Sequence, residues 1–122
     1  MIKELAKEIH ENAKSKGFYD AEKNIGEMLA LIHSEVSEAL ECDRKGRYSD
    51  NEQVTRINAI ESNTLFLIEF KNLIKDTFGA ELADIIIRTL DLAEYKGIDI
   101  EQFLIAVVRN NSFREHKHGK KY

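Results

Sequence analysis

The chain has 122 residues, 43% of them hydrophobic and 33% charged, with a formal charge of −4. Those values describe one domain's worth of soluble globular protein, with a modest core and little room for a second domain. They exclude broad nucleic-acid binding, because no strong positive field gathers phosphates, and no apolar run approaches the about 20 residues that a membrane span needs.

Proline is absent, good helix formers dominate, and no strand-like alternation appears, so the expected fold is all-α. A first helix is predicted over Ile2 to Lys16, with Ile2, Leu5, Ile9 and Ala13 as its apolar stripe and Gly17 as its stop. This N-terminal stretch is amphipathic and has no signal-peptide core. A second helix runs from Asn24, its cap, to Lys45, and Gly46 ends it. The polar stretch "RYSDNEQVTRINAIESNT" reads as a loop with room for a short helical piece, and "LFLIEFKNLIKDTF" returns to helical spacing. A long helix follows from about Asp76 to Lys96, broken from or joined to its predecessor near Gly79 and ended by Gly97. The last helix has Asp99 as its N-cap, with Phe103, Leu104, Val107 and Val108 as its inner face. The sequence then closes in a basic tail over residues 115–122. The expectation is a single domain over residues 1–122, a bundle of four to five helices completed by oligomerisation. The lone Cys42 cannot form an internal disulfide and points to a reducing, cytoplasmic setting.

Two acidic pairs interrupt this apolar pattern. On a wheel of about 100° per residue, Ile25, Met28, Leu29, Ile32, Val36, Ala39 and Leu40 share one arc of the second helix. Glu35 stands at the edge of that arc, and Glu38 lies about 60° further round. In the long helix Leu82, Ala83, Ile85, Ile86, Leu90 and Ala93 form the expected inner face. Glu81 borders it, and Asp84 shares a polar strip with Arg88, Asp91 and Tyr95. Each helix therefore presents two carboxylates, one turn apart, at the boundary of its buried face.

Such pairs are either ordinary boundary charges or ligands. A carboxylate near a core is costly without a partner, and few basic residues lie on these faces, Arg88 being the obvious one. A divalent cation is the other neutralising partner. Hard cations such as Mg²⁺ take oxygen ligands, with water and substrate phosphates completing the shell. Four carboxylates suit two ions, or one ion plus a general base.

The order Glu-x-x-Glu then Glu-x-x-Asp, here Glu35, Glu38, Glu81 and Asp84, resembles the MazG-like all-α nucleoside triphosphate pyrophosphohydrolases. The flanks "LALIHSEVSEALE" and "LADIIIRTLDLAEYKGIDIE" are similar too, as are the closing elements Asn111, Arg114, His118, Gly119 and Lys120. The resemblance spans residues 24 to 121. It implies that the four carboxylates bind Mg²⁺, with Mn²⁺ as a substitute, and carry the catalysis. It implies hydrolysis of a nucleoside or deoxynucleoside triphosphate to the monophosphate and pyrophosphate, by a homodimer or homotetramer. Arg88, Asn111, Arg114 and Lys120 are the candidate substrate-binding residues. The sequence departs from the family pattern at Ser34, Val107 and Glu115, and the polar stretch over residues 47–64 reads as an insertion.

Some residues retain a second reading. Arg88 is also placed to pair with Asp84 one turn away. "EHKH" supplies a single Glu-x-x-His, whereas a ferritin-like di-iron site needs two. The alternative function is a catalytically inactive helical interaction module of the same fold; retention of all four carboxylates favours the enzyme.

Overall fold

A computed structural model of the chain describes residues 1–121 and is all-α, with no strand among them. The helices are α1 (Ile2–Ser15), α2 (Ile25–Arg44), α3 (Asn51–Asn58), α4 (Asn63–Leu73), α5 (Phe78–Tyr95) and α6 (Ile100–Ser112), followed by a 3₁₀ turn at His116–Gly119. None of the described helices is long and apolar enough to cross a membrane.

The sequence marks most of these boundaries chemically. Side-chain oxygens of Asn24, Asp50, Ser62 and Asp99 accept from backbone N–H groups in the first turns of α2, α3, α4 and α6. Each satisfies a donor that the helix itself cannot. Thr77 does the same for α5, where its Oγ1 accepts from Ala80 N at 3.4 Å. Gly46 and Gly97 terminate α2 and α5 with φ of 66° and 68°. The residue after each donates back across the last turn, Arg47 N to Cys42 O and Ile98 N to Ala93 O, both at 2.8 Å. That closure requires a left-handed residue, which glycine supplies without a Cβ penalty.

The chain divides into two compact units, and α5 contributes to both. The first comprises Met1–Glu22 and the chain from Leu90 onward. In it α1 packs on α6, with Ala6, Leu90 and Ala93 buried. Asp91 is the polar centre of this unit. Its carboxylate pairs with His10 Nδ1 at 2.8 Å and accepts from Tyr19 OH at 2.6 Å, while Tyr19 stacks on Tyr95 with centroids 5.0 Å apart. The α6 face expected to point inward does not: Phe103, Leu104, Val107 and Val108 are all exposed.

The second unit, Lys23–Thr89, holds α2, α3, α4 and most of α5. Its segment over residues 47–64, read from sequence as largely loop, folds into α3, so there are six α-helices among the described residues rather than four or five. Polar composition hid the reason. Ile57 on α3 is 0% exposed and is the largest fully buried side chain described, and α3 packs against α4. Two hydrogen bonds fasten the end of α2 to the start of α5. Phe78 N donates to Arg47 O at 2.8 Å, and Cys42 Sγ donates to Asp76 O at 3.4 Å. Tyr48 packs beside Phe78 at 5.1 Å.

Ile57→Ala should therefore destabilise the protein by about 2–5 kcal/mol, as cavity-forming core truncations do. Urea unfolding checks it: an unchanged midpoint would show that α3 contributes nothing to the core.

Candidate metal centre

Along α2 the buried positions are Met28, Glu35, Ala39 and Cys42, one stripe at helical spacing. Glu35 thus lies within the buried line rather than at its edge. The apolar arc read from sequence is turned partly outward, leaving Leu29, Val36 and Leu40 exposed. On α5 the same displacement occurs. Glu81 is buried at 6% exposure, whereas Leu82, Ala83 and Ile86 are exposed. Both helices bury a carboxylate and expose aliphatic side chains, the reverse of what hydrophobicity alone dictates.

The carboxylates converge. One ligand oxygen from each of Glu35, Glu38 and Glu81 lies within 4.8 Å of the others. Oxygens bound to one octahedral Mg²⁺ stand about 3–4.2 Å apart, so a small side-chain adjustment closes the set around an ion. Asp84 is half-buried one turn beyond Glu81 and is not a member of that triplet, though it lies in the field of Glu35.

Arg88 reaches the other helix, a pairing that neither reading of it from the sequence names. Its Nε donates to Glu35 Oε1 at 2.7 Å, rather than pairing along α5 with Asp84. Its position seven residues after Glu81 places both on one face of α5, which is the signal that could have predicted the reach to α2. The remaining sequence candidates, Asn111, Arg114 and Lys120, belong to the unit that holds α1 and α6, where all three are exposed. Sequence reading missed the His10–Asp91–Tyr19 network, because His10 sits beside the apolar stripe of α1 and Asp91 counted only as part of a polar strip.

The electrostatics are strained in a way a cation would relieve. Glu35 Oε2 and Glu81 Oε2 are buried and accept no hydrogen bond. An orphaned buried carboxylate oxygen is costly. Burial, then the adjoining Glu38 and Glu35 carboxyl groups, push the Glu81 carboxyl up to about 7. Glu38 is raised by the neighbouring Glu35, and Asp84 by burial and then the Glu35 charge. Glu35 moves the other way: burial is the largest influence and opposes its charge, but the Arg88 bond and charge, together with the adjoining Glu38 and Glu81 carboxyl groups, hold the carboxyl below its ordinary value. One guanidinium cannot neutralise four carboxylates. A hard divalent cation fits what remains, because the donors are all oxygen and two of them lack any other partner.

A raised folded-state value means that the folded chain holds a proton the unfolded chain has lost. The contribution of Glu81 to stability is full below about 4.5, its ordinary value, and is lost as pH rises through about 7. The metal-free melting temperature should therefore fall across that window, and Glu81→Gln should flatten the decline. Melting curves at several pH values check it, and equal slopes in the two proteins would count against a buried, crowded Glu81.

Compared with protein-family models, with curated proteins and with solved structures, the chain has no match, so the reading of this centre rests on its own residues.

Proposed function

We propose that the protein is a divalent-cation-dependent nucleoside triphosphate pyrophosphohydrolase, cleaving the α–β anhydride of an NTP or dNTP to give the monophosphate and pyrophosphate. The observation that carries this is the convergence of Glu35, Glu38 and Glu81 from two helices, with two of their buried oxygens unpartnered. The resemblance of Glu-x-x-Glu and Glu-x-x-Asp to the MazG-like motif order points the same way.

Glu35, Glu38 and Glu81 are the residues that would hold Mg²⁺, or Mn²⁺ in its place, with Asp84 adjoining them. When bound, the cation neutralises triphosphate charge and makes the phosphorus more open to attack. The chain's own part is to position and to move protons. A carboxylate of the cluster accepts a proton from the attacking water as the new O–P bond forms and the bond to pyrophosphate breaks. Arg88, with its side chain 41% exposed, can reach a developing negative charge.

Groups acting as one unit give large, non-additive losses. Glu35→Gln, Glu38→Gln, Glu81→Gln and Asp84→Asn should each remove most pyrophosphate release, and a double substitution across α2 and α5 should add little. Glu41→Gln, which only loses a surface pair with Lys45 at 3.3 Å, should leave activity nearly intact. The measurement is Mg²⁺-dependent pyrophosphate release from a panel of NTPs and dNTPs; turnover persisting in all four single variants would overturn the assignment.

The proposal includes a cytoplasmic homodimer or homotetramer. Leu29, Val36 and Leu40 on α2 and Leu82 and Ile86 on α5 flank the carboxylates and are exposed, an apolar surface that a second copy would cover. Light scattering at micromolar concentration should give at least twice the 14.1 kDa chain mass. A clean monomer would remove this part of the proposal.

A further inference from the structure

Arg88 and Glu35 form an asymmetric pair. The Glu35 side chain is only 9% exposed and is fixed in the buried stripe of α2, whereas Arg88 is 41% exposed at the end of a long stem. The bond uses Nε alone, to Glu35 Oε1 at 2.7 Å, and the terminal guanidinium nitrogens make no hydrogen bond among the described residues. Arg88 follows Asp84 by one turn, so its stem rises from the face that carries Glu81 and Asp84. If one partner is to move, the arginine is free to do so and the glutamate is not.

A divalent cation arriving at Glu35 changes the balance. It competes for the Oε1 lone pairs, and it places two positive charges a few ångströms from a third. At that spacing like charges repel strongly in a part-buried site. The guanidinium is then better placed facing outward, where its planar fork matches a phosphate or carboxylate edge.

We propose that Arg88 is a cation-operated latch: it neutralises Glu35 in the metal-free chain and is released by divalent-cation binding to grip an anionic phosphate group, so that loading the metal creates the anion site. The inference rests on the reading of the carboxylates as a metal centre, but not on turnover. It makes the cation and the anion bind in a coupled order, with the metal first.

The test is arginine side-chain NMR on the full chain, with Mg²⁺ chloride as the probe and Arg88→Lys to assign the signal. In the metal-free protein the Arg88 Nε–H should be protected from solvent exchange, and saturating Mg²⁺ should abolish that protection. By calorimetry, Arg88→Gln should bind Mg²⁺ roughly fivefold tighter, because a competing cation with the worth of a half-exposed ion pair is gone. Pyrophosphate should bind the Mg²⁺-loaded wild type more tightly than the loaded Arg88→Gln protein; chelation in solution is common to both and cancels. Circular dichroism confirms folding, and Arg88→Met, which likewise removes the charge, serves if the glutamine variant is unfolded. An Nε–H that stays protected while the Glu38 and Glu81 amides shift with Mg²⁺ overturns the latch, as does weaker Mg²⁺ binding by Arg88→Gln. Absence of any amide shift with Mg²⁺ removes the metal centre and the latch together. Loss of turnover with both NMR results intact would remove only the hydrolytic reading.

Discussion

The second unit is organised around a charge placed where a leucine would be expected. Glu35 occupies the buried stripe of α2, and an ionised carboxylate there is tolerated only if something nearby answers its charge. Arg88 answers one oxygen and leaves the other without a partner. That half-satisfied state dictates much else. α5 must run close enough for the guanidinium to reach across, its buried Glu81 must share the same small volume, and the two helices must be held at fixed ends. The Arg47–Phe78 and Cys42–Asp76 hydrogen bonds do the holding, joining the end of α2 to the start of α5.

Fixing those ends while crowding carboxylates between them costs stability, and the cost is visible in the titration of the cluster. Arg88 and the adjoining carboxyl groups together hold Glu35 below its ordinary value, whereas burial, then Glu38 and Glu35, push Glu81 up to about 7. Two chemically identical side chains are thus moved in opposite directions by their different surroundings. A core built only for stability would fill both positions with hydrocarbon. The cation proposed for this site would offset that cost.

Some of the local chemistry was readable in the sequence, although the equally local caps Asp50, Ser62 and Thr77 went unread. Asn24 and Asp99 announced their helix starts, and Gly46 and Gly97 their ends, because capping involves neighbours a few residues apart. The acidic pairs were legible as pairs for the same reason. What depended on other segments was not. The placement of Glu35 inside the buried stripe, the choice of Glu35 over Asp84 by Arg88, and the outward face of α6 are all tertiary outcomes. Ile57 shows it most simply: with Val54 and Ile60 it gives only a weak helical period in a polar stretch, yet it is wholly buried.

The span of the Arg88–Glu35 bond has a consequence for the route by which the chain reaches this state. The partners are 53 residues apart, whereas α3 and α4 are near neighbours joined by a few residues. Closing the longer loop costs more entropy, and that cost falls once the intervening helices have already shortened it. The α3–α4 pair is therefore expected to form first, with the carboxylate cluster assembled late and released early in partial unfolding. The part of the molecule proposed to do chemistry would then become ordered only after the α3–α4 pair.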